Sequence, residues 1–313
     1  MRLLFATDVH GSDRCFRKFL NSLPVHRPDA LILGGDVTGK VLVPVVTVKG
    51  GWWTYIAGKR VELHTVSERM ETERLIRMSG HYPVVVSEEE KAQLDSDPAA
   101  VEAAFRDVMV STLESWLDLA AERVSASGVP IFMMPGNDDL AEVEKVLDRS
   151  EYVRSAEGRI LDLPGGYSLA SFGYSNRTPW DSPRELEDEE LGRRIREVVG
   201  QVRDPGRAIF NFHVPPYGSN LDQAPAIDEN LRLISKAGQA ETINAGSQAV
   251  RSLIEEVQPL LGLHGHIHES RAVQKLGRTV CVNPGSEYGT GTLKFAVLDL
   301  KNGSVEQWQL LSG

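Results

Sequence analysis

Apolar runs and helical periods alternate along the first part of the chain. RLLFAT reads as a buried strand, CFRKFLNSL as a helix capped by Ser12 or Asp13, and DALILGG as a second strand, which together make a βαβ unit. After Asp36 this alternation breaks. VLVPVVTV, the turn signal Lys49-Gly50-Gly51, WWTYIAG and KRVELHTV read as a small antiparallel meander. A helix from about Glu68 to Met78 and a short strand at YPVVVS complete it. The core pattern resumes at Asp97-Pro98, an N-cap followed by proline at the first helical position. From there Val101, Phe105, Val108, Thr112, Trp116 and Leu119 fall on one helical face, and the helix ends near Gly128 before the strand PIFMM.

The second half repeats the alternation. RILDLPGGYSLASFGYS reads as a hairpin, and a charged helix runs from about Arg184 to Val202 with Leu186, Leu191, Ile195, Val198 and Val202 as its apolar stripe. The strand RAIFNF ends at His213. A polar segment with Gly and Pro follows, a candidate substrate loop whose nearest polar groups are Tyr217, Asn220 and Asp222; an ordinary surface loop fits it as well. A helix begins near Ser247, and PLLGLHGHIH, AVQKL, RTVCVNPG, TLKFAVLDL and SVEQWQLL read as meander strands. One helix and one strand would take roughly 25 to 30 residues at usual element lengths, far fewer than separate Asp36 from Asn137. Residues 40–96 therefore read as an insertion, a mainly β cap over the core or a wall beside it. Its Trp52, Trp53 and Tyr55 could stack on a substrate ring or form a homodimer surface, but strand aromatics more often fill a small core.

The candidate chemistry sits where apolar runs end. Asp8 and His10 stand in LFATDVHG, Asp36 in LILGGDVTG, Asn137 in MMPGNDD, His213 in IFNFHVPP, and His266 and His268 in LHGHIHES. Seven oxygen and nitrogen donors placed this way match two adjacent divalent metals bridged by one carboxylate, here Asp36. Any one of them could instead be a satisfied core histidine, a cap or a turn residue; the set together points to metal. Carboxylate, amide oxygen and imidazole suit Mn, Fe, Zn, Co or Ni, and no thiolate is positioned to favour softer metals.

The order DxH, GD, GN, H, GHxH resembles the calcineurin-like metallophosphoesterase superfamily, from Arg2 to about Asp299 with the insertion left out. The resemblance implies an α/β fold, a four-layer αββα sandwich of mixed sheets, as a single domain over residues 1–313 with the 40–96 cap inserted. It places one metal on Asp8, His10, Asp36 and His268 and the other on Asp36, Asn137, His213 and His266. Only His266 and His268 of the histidine run match the pattern, so His264 is read as a supporting or packing residue, although alternation would put all three on one side of an extended segment. Asn283-Pro284-Gly285-Ser286 resembles a turn close to the family's site. The implied activity is phosphoester hydrolysis by a metal-bridging hydroxide, with Asn137 and the imidazoles setting the geometry.

One position departs from the family pattern. Where members often carry a histidine that meets the phosphoryl group or protonates the leaving alcohol, this chain has Asp138, followed by Asp139. A carboxylate beside two dications is ionised, a poor proton donor that repels a dianionic monoester. A phosphodiesterase is therefore the favoured reading, with a nucleotide or other small phosphoester as substrate. A phosphomonoesterase or protein phosphatase, and a non-catalytic protein-interaction scaffold, are the alternatives. Asp138 and Asp139 also read as helix-start residues before LAEVEKVLD, where acidic side chains favour the dipole.

Composition narrows the partners. A net charge of −10 over 313 residues argues against a broad nucleic-acid-binding face, while two dications can still draw an anion to a local site. No stretch approaches the roughly 20 apolar residues of a membrane helix, and MRLLFATDVHG reads as a strand rather than a signal peptide, so cytoplasmic residence is expected. Cys15 and Cys281, in a helix and a strand pattern, read as buried free thiols.

Overall fold

Two six-stranded mixed sheets lie face to face in the computed structural model, which describes residues 1–125, 127–228, 230–236 and 239–313. The first sheet runs in the order Ser304–Ser312, Lys294–Lys301, Arg2–Ala6, Ala30–Gly34, Ile131–Met134, Val153–Ser155. Its last four strands are parallel and its first two antiparallel. The second sheet runs Ala272–Leu276, Thr279–Asn283, Leu261–Leu263, Ala208–Phe212, Tyr167–Phe172, Ile160–Leu163, with parallel pairing through its centre and an antiparallel strand at each edge. Strand Arg2–Ala6 is apolar at consecutive positions because both of its faces are covered. Leu3 and Phe5 pack between the sheets, against Leu169, Ile209 and Leu263. Leu4 and Ala6 point the other way, toward helices Asp13–His26 and Pro98–Val124. Helices Asp188–Val199 and Gln248–Val257 cover the far face of the second sheet, over Phe210 and Phe212. The layers are thus αββα.

Some boundaries follow the sequence expectation and others differ from it. The first helix takes Ser12 as its cap, the hydroxyl accepting from Cys15 N, and Asp13 lies in the first turn. The charged helix begins at Asp188, because Glu185–Leu186 is drawn into a two-residue strand with Ser175–Asn176. In helix Pro98–Val124 only Trp116 of the expected stripe is buried; the buried line is Met109, Leu113, Trp116, Leu117, Ala120 and Val124. That helix has 27 residues and serves two neighbours. Its later turns pack on the core, Trp116 stacking on Phe16 at 4.2 Å, while Phe105 meets Tyr82 of the insertion at 5.4 Å. Cys15 and Cys281 are buried and unpaired, and no helix among the described residues is long and apolar enough to cross a membrane.

The insertion builds a sheet of its own, ordered Lys59–Leu63, Gly51–Ile56, Leu42–Val48, Tyr82–Val86. The first three strands form the expected antiparallel meander, and Tyr82–Val86 joins parallel to Leu42–Val48 after helix Val66–Met78. A further helix, Glu88–Ser96, follows, closed by a capping box between Ser87 and Glu90, an S-x-x-E pattern in the sequence. Val45, Leu63 and Ile76 form the small core, and Trp52 packs against it beneath the Arg69 guanidinium at 5.0 Å. Trp53 is half-buried under Arg60. This sheet is joined to the rest of the fold through Tyr82, whose ring lies in the helix-side core and whose Oη accepts the Gly39 N–H at 2.7 Å.

Tyr82→Phe keeps the ring and leaves the buried Gly39 N–H without an acceptor. Urea denaturation should show a loss of about 1 to 3 kcal/mol with an unaltered far-ultraviolet spectrum. An unchanged midpoint would mean that another contact holds this junction.

Candidate metal centre

The loops that carry the candidate donors all leave the carboxyl ends of central strands, where open α/β sheets gather their sites. Asp8 and His10 follow Arg2–Ala6, Asp36 follows Ala30–Gly34, Asn137 follows Ile131–Met134, His213 follows Ala208–Phe212, and His266 and His268 follow Leu261–Leu263. The chain turns sharply at these points. Asp8, His10, Asp36 and His266 have φ of 53°, 40°, 49° and 65°, left-handed conformations that cost non-glycine residues energy and persist where the surroundings impose them. Backbone bonds between loops impose them here: Asp8 N–H donates to Gly35 O at 3.0 Å, His10 N–H to Asp36 O at 2.9 Å, and Gly265 N–H to His213 O at 2.9 Å. The glycines of the GN and GH motifs have a steric reason. A Cβ on Gly136 would stand 2.2 Å from Asp36 Oδ1, and one on Gly265 would stand 2.3 Å from Asp8 Oδ2.

All seven expected donors meet in one place. Ligand atoms of Asp8, His10, Asp36 and His268 lie within 4.8 Å of one another. Asp36 Oδ2 stands 3.4 Å from His10 Nε2 and also 3.4 Å from His213 Nε2, midway between the two groups. On the second side His266 Nδ1 is 2.7 Å from Asn137 Oδ1, and the His213 and His266 rings are 5.5 Å apart. His264 does not join them. His266 turns left-handed just past the short strand and breaks the alternation, and His264 Nδ1 sits on the Phe212 and Val214 carbonyls at 2.8 and 3.2 Å. Asn283 braces this loop by donating to Gly265 O and Ile267 O, and Ser286 Oγ donates to Asp8 O at 2.6 Å.

Electrostatics mark the cluster as short of positive charge. Burial opposes ionisation of Asp8, but His213, His268 and His10 outweigh it and hold Asp8 below the usual carboxylate range. Burial, together with Asp138 and Asp8, pushes Asp36 up to about 6 against the pull of His213. Burial would lower His213, yet Asp36 and Asp8 drive it up to about 10. His10 is lowered by burial, His268 and Lys40; His266 falls to about 3 through burial and His213. The donor set fits divalent metal on a structural observation. His213 Nδ1 lies 2.9 Å from Gly34 O, a carbonyl that orients the ring, while its buried Nε2 faces Asp36 and Asp8 with no hydrogen-bond partner among the described residues.

The two acidic residues after Asn137 differ from the helix-start expectation. The following helix spans Glu142–Leu147 with Ala141 as its cap residue, too far along for Asp138 or Asp139 to serve it. Asp139 is buried and accepts Val37 N–H at 2.9 Å, Thr38 N–H at 2.8 Å and Gly136 N–H at 2.8 Å, clamping the Asp36 loop to the Asn137 loop. Asp138 lies at the mouth. It donates its N–H to Asp36 Oδ1 at 3.0 Å, accepts Ser182 Oγ at 2.6 Å and Asn137 Nδ2 at 2.9 Å, and pairs with the Lys40 ammonium. Burial resists its charge, but Lys40 and Ser182 hold it at about 2. Tyr288 completes this rim, its ring 4.5 Å from that of His10. Sequence reasoning missed Lys40, Ser182 and Tyr288, which carry no local signal. In the loop after His213, Asp222 is buried and accepts Gly218, Ser219 and Gly246 N–H groups, so it shapes the loop, whereas Tyr217 and Asn220 are exposed.

No family model matches the chain. Over 156 residues it is 29% identical to the uncharacterized protein MJ1162 of Methanocaldococcus jannaschii, a stretch that covers 49% of this chain and 63% of that one. The match thus takes in less than two thirds of the relative's own length. Among solved structures, TT1561 of Thermus thermophilus aligns with a TM-score of 0.53 at 15% identity, covering 100% of this chain and 97% of the other. A further crystal structure aligns at 0.58 and 16% identity, covering 99% and 98%. At these identities the likeness is one of fold, an α/β sandwich shared along nearly the full length.

Proposed function

We propose that the chain is a metal-dependent phosphoester hydrolase that holds two divalent ions, one on Asp8, His10, Asp36 and His268 and one on Asp36, Asn137, His213 and His266. The observation that carries this reading is the convergence of the seven donors, with Asp36 Oδ2 equally distant from His10 Nε2 and His213 Nε2. Such ions, when bound, supply Lewis acidity toward phosphoryl oxygens and lower the pKa of a water. The residues do the rest. Asp36 joins the two ligand groups, the Gly34 carbonyl fixes the His213 ring, and the Asp139 clamp keeps the Asp36 and Asn137 loops in register.

The finer reading is a phosphodiesterase. Asp138 is ionised and carries no proton for a leaving alkoxide, and its charge disfavours a dianionic monoester more than a monoanionic diester. The Lys40 ammonium offsets part of that repulsion, and this observation favours the alternative, a phosphomonoesterase. A small phosphoester or nucleotide is the substrate class proposed in either case.

Asp36→Asn should remove turnover of bis(4-nitrophenyl) phosphate with added Mn and lower bound metal together, read by elemental analysis of the purified protein. A variant that keeps two metals and most of its activity would sink the bridging role. For Asp138→His, the ratio of monoester to diester turnover should rise, on the order of 100-fold for a well-placed donor, with matched aryl leaving groups and equal metal content. An unchanged ratio, or a wild type that already prefers monoesters, would remove the support for a diester substrate.

A further inference from the structure

Lys40 is the first residue of the insertion, and it belongs to no helix or strand. Its place is nonetheless fixed, since the preceding Gly39 is bonded through its N–H to Tyr82 Oη. From there the ammonium reaches across to Asp138 Oδ2, while the side chain remains 47% exposed at the lip of the ligand cluster. Asp138 is held in turn by Ser182, by Asn137 Nδ2 and through its own N–H on Asp36 Oδ1. The carboxylate is therefore a rigid tether. An ammonium has three donors and Asp138 Oδ2 takes one of them, which leaves two directed away from the tether. The charge lies near enough to bear on Asp36, His10, His268 and Tyr288.

A lysine tethered beside two dications is repelled by them unless an anion lies between. Ser182 and Asn137 both donate to Asp138 Oδ1 and Lys40 holds Oδ2, so the ammonium is anchored through a single oxygen and keeps donors for a second anion. We propose that Lys40 contacts the substrate, donating from Nζ to a non-bridging oxygen of the phosphoryl group that the two ligand sets hold. This rests on the hydrolase reading above and adds to it a third positive contact, supplied by the insertion and steered by Asp138. The chemistry recognised is a tetrahedral oxyanion, so free phosphate should bind by the same contact.

The test uses the full chain loaded with Mn, compared as wild type, Lys40→Met, Lys40→Arg and the double variant Lys40→Met with Asp138→Asn. Metal content and the urea midpoint are measured first, then inorganic phosphate affinity by calorimetry and turnover of bis(4-nitrophenyl) phosphate. Lys40→Met should keep both metals and the midpoint, bind phosphate at least about tenfold more weakly and lose on the order of 100-fold in kcat/KM, the scale of losing one charge-stabilising donor. Lys40→Arg should recover most of the phosphate affinity, and the double variant should recover none. Wild-type phosphate affinity in Lys40→Met would overturn the proposal. So would recovery in the double variant, which would reduce Lys40 to a neutraliser of Asp138. Metal content and wild-type turnover report on the hydrolase reading, whereas the phosphate comparison reports on Lys40 even if the wild type hydrolyses no diester.

Discussion

Two carboxylates buried side by side govern how this molecule is put together. Asp8 and Asp36 are almost wholly excluded from solvent at the ends of adjacent strands, and uncompensated charge in such a place is costly. Four imidazoles surround them, and although burial opposes charge on His213, Asp36 and Asp8 favour a proton there and raise it to about 10. Metal can take the place of that proton, because the buried nitrogens already point at the carboxylates. Two further carboxylates stand close by and each has its own partners, Asp138 the Lys40 ammonium at the rim and Asp139 the backbone N–H groups of Val37, Thr38 and Gly136.

Holding like charges together calls for a stiff frame. The left-handed turns at Asp8, His10, Asp36 and His266 are strained, and they are kept by bonds that run between loops rather than within them. Asp139 is the central clamp, accepting three backbone N–H groups from two loops. Glu157 supports the opposite side, its carboxylate accepting Gly173 N–H at 2.8 Å and pairing with Arg184 at 3.0 Å, while Arg184 N–H donates to Asn137 O at 3.0 Å. Losing one of these would loosen ligand geometry at a distance from any ligand atom, since loop positions are set jointly.

The insertion changes the rim rather than the seven candidate donors. It has its own sheet and small core, yet Tyr82 sits in the main core and Phe105 of the long helix leans on it. The junction therefore fixes where Lys40 stands. A chain that reached Asn137 by a single helix and strand would keep the seven donors and have no tethered ammonium opposite Asp138.

Much is legible in the chain alone. The convergence of the candidate donors is, because each follows an apolar run that must be a buried strand, and strand ends in an α/β sheet converge; Asp8, His10, Asp36, Asn137, His213, His266 and His268 each carry that local signal. The Ser87-to-Glu90 capping box is also a local pattern, although the expected elements include no helix between the strand at YPVVVS and Asp97. What Asp138 and Asp139 do is not legible, since an acidic pair before a helical pattern has the same local appearance whatever it faces, and His264 is told apart from His266 and His268 by the family resemblance rather than by its place in an alternating run. Their roles depend on partners far away in sequence: Lys40 for Asp138, Val37 and Thr38 for Asp139, the Phe212 and Val214 carbonyls for His264. Sequence determined which chemistry is present, through short-range patterns of burial and turn. Tertiary structure alone decided which charges meet, because electrostatic pairing depends on distance in space, and the insertion's packing sets that distance.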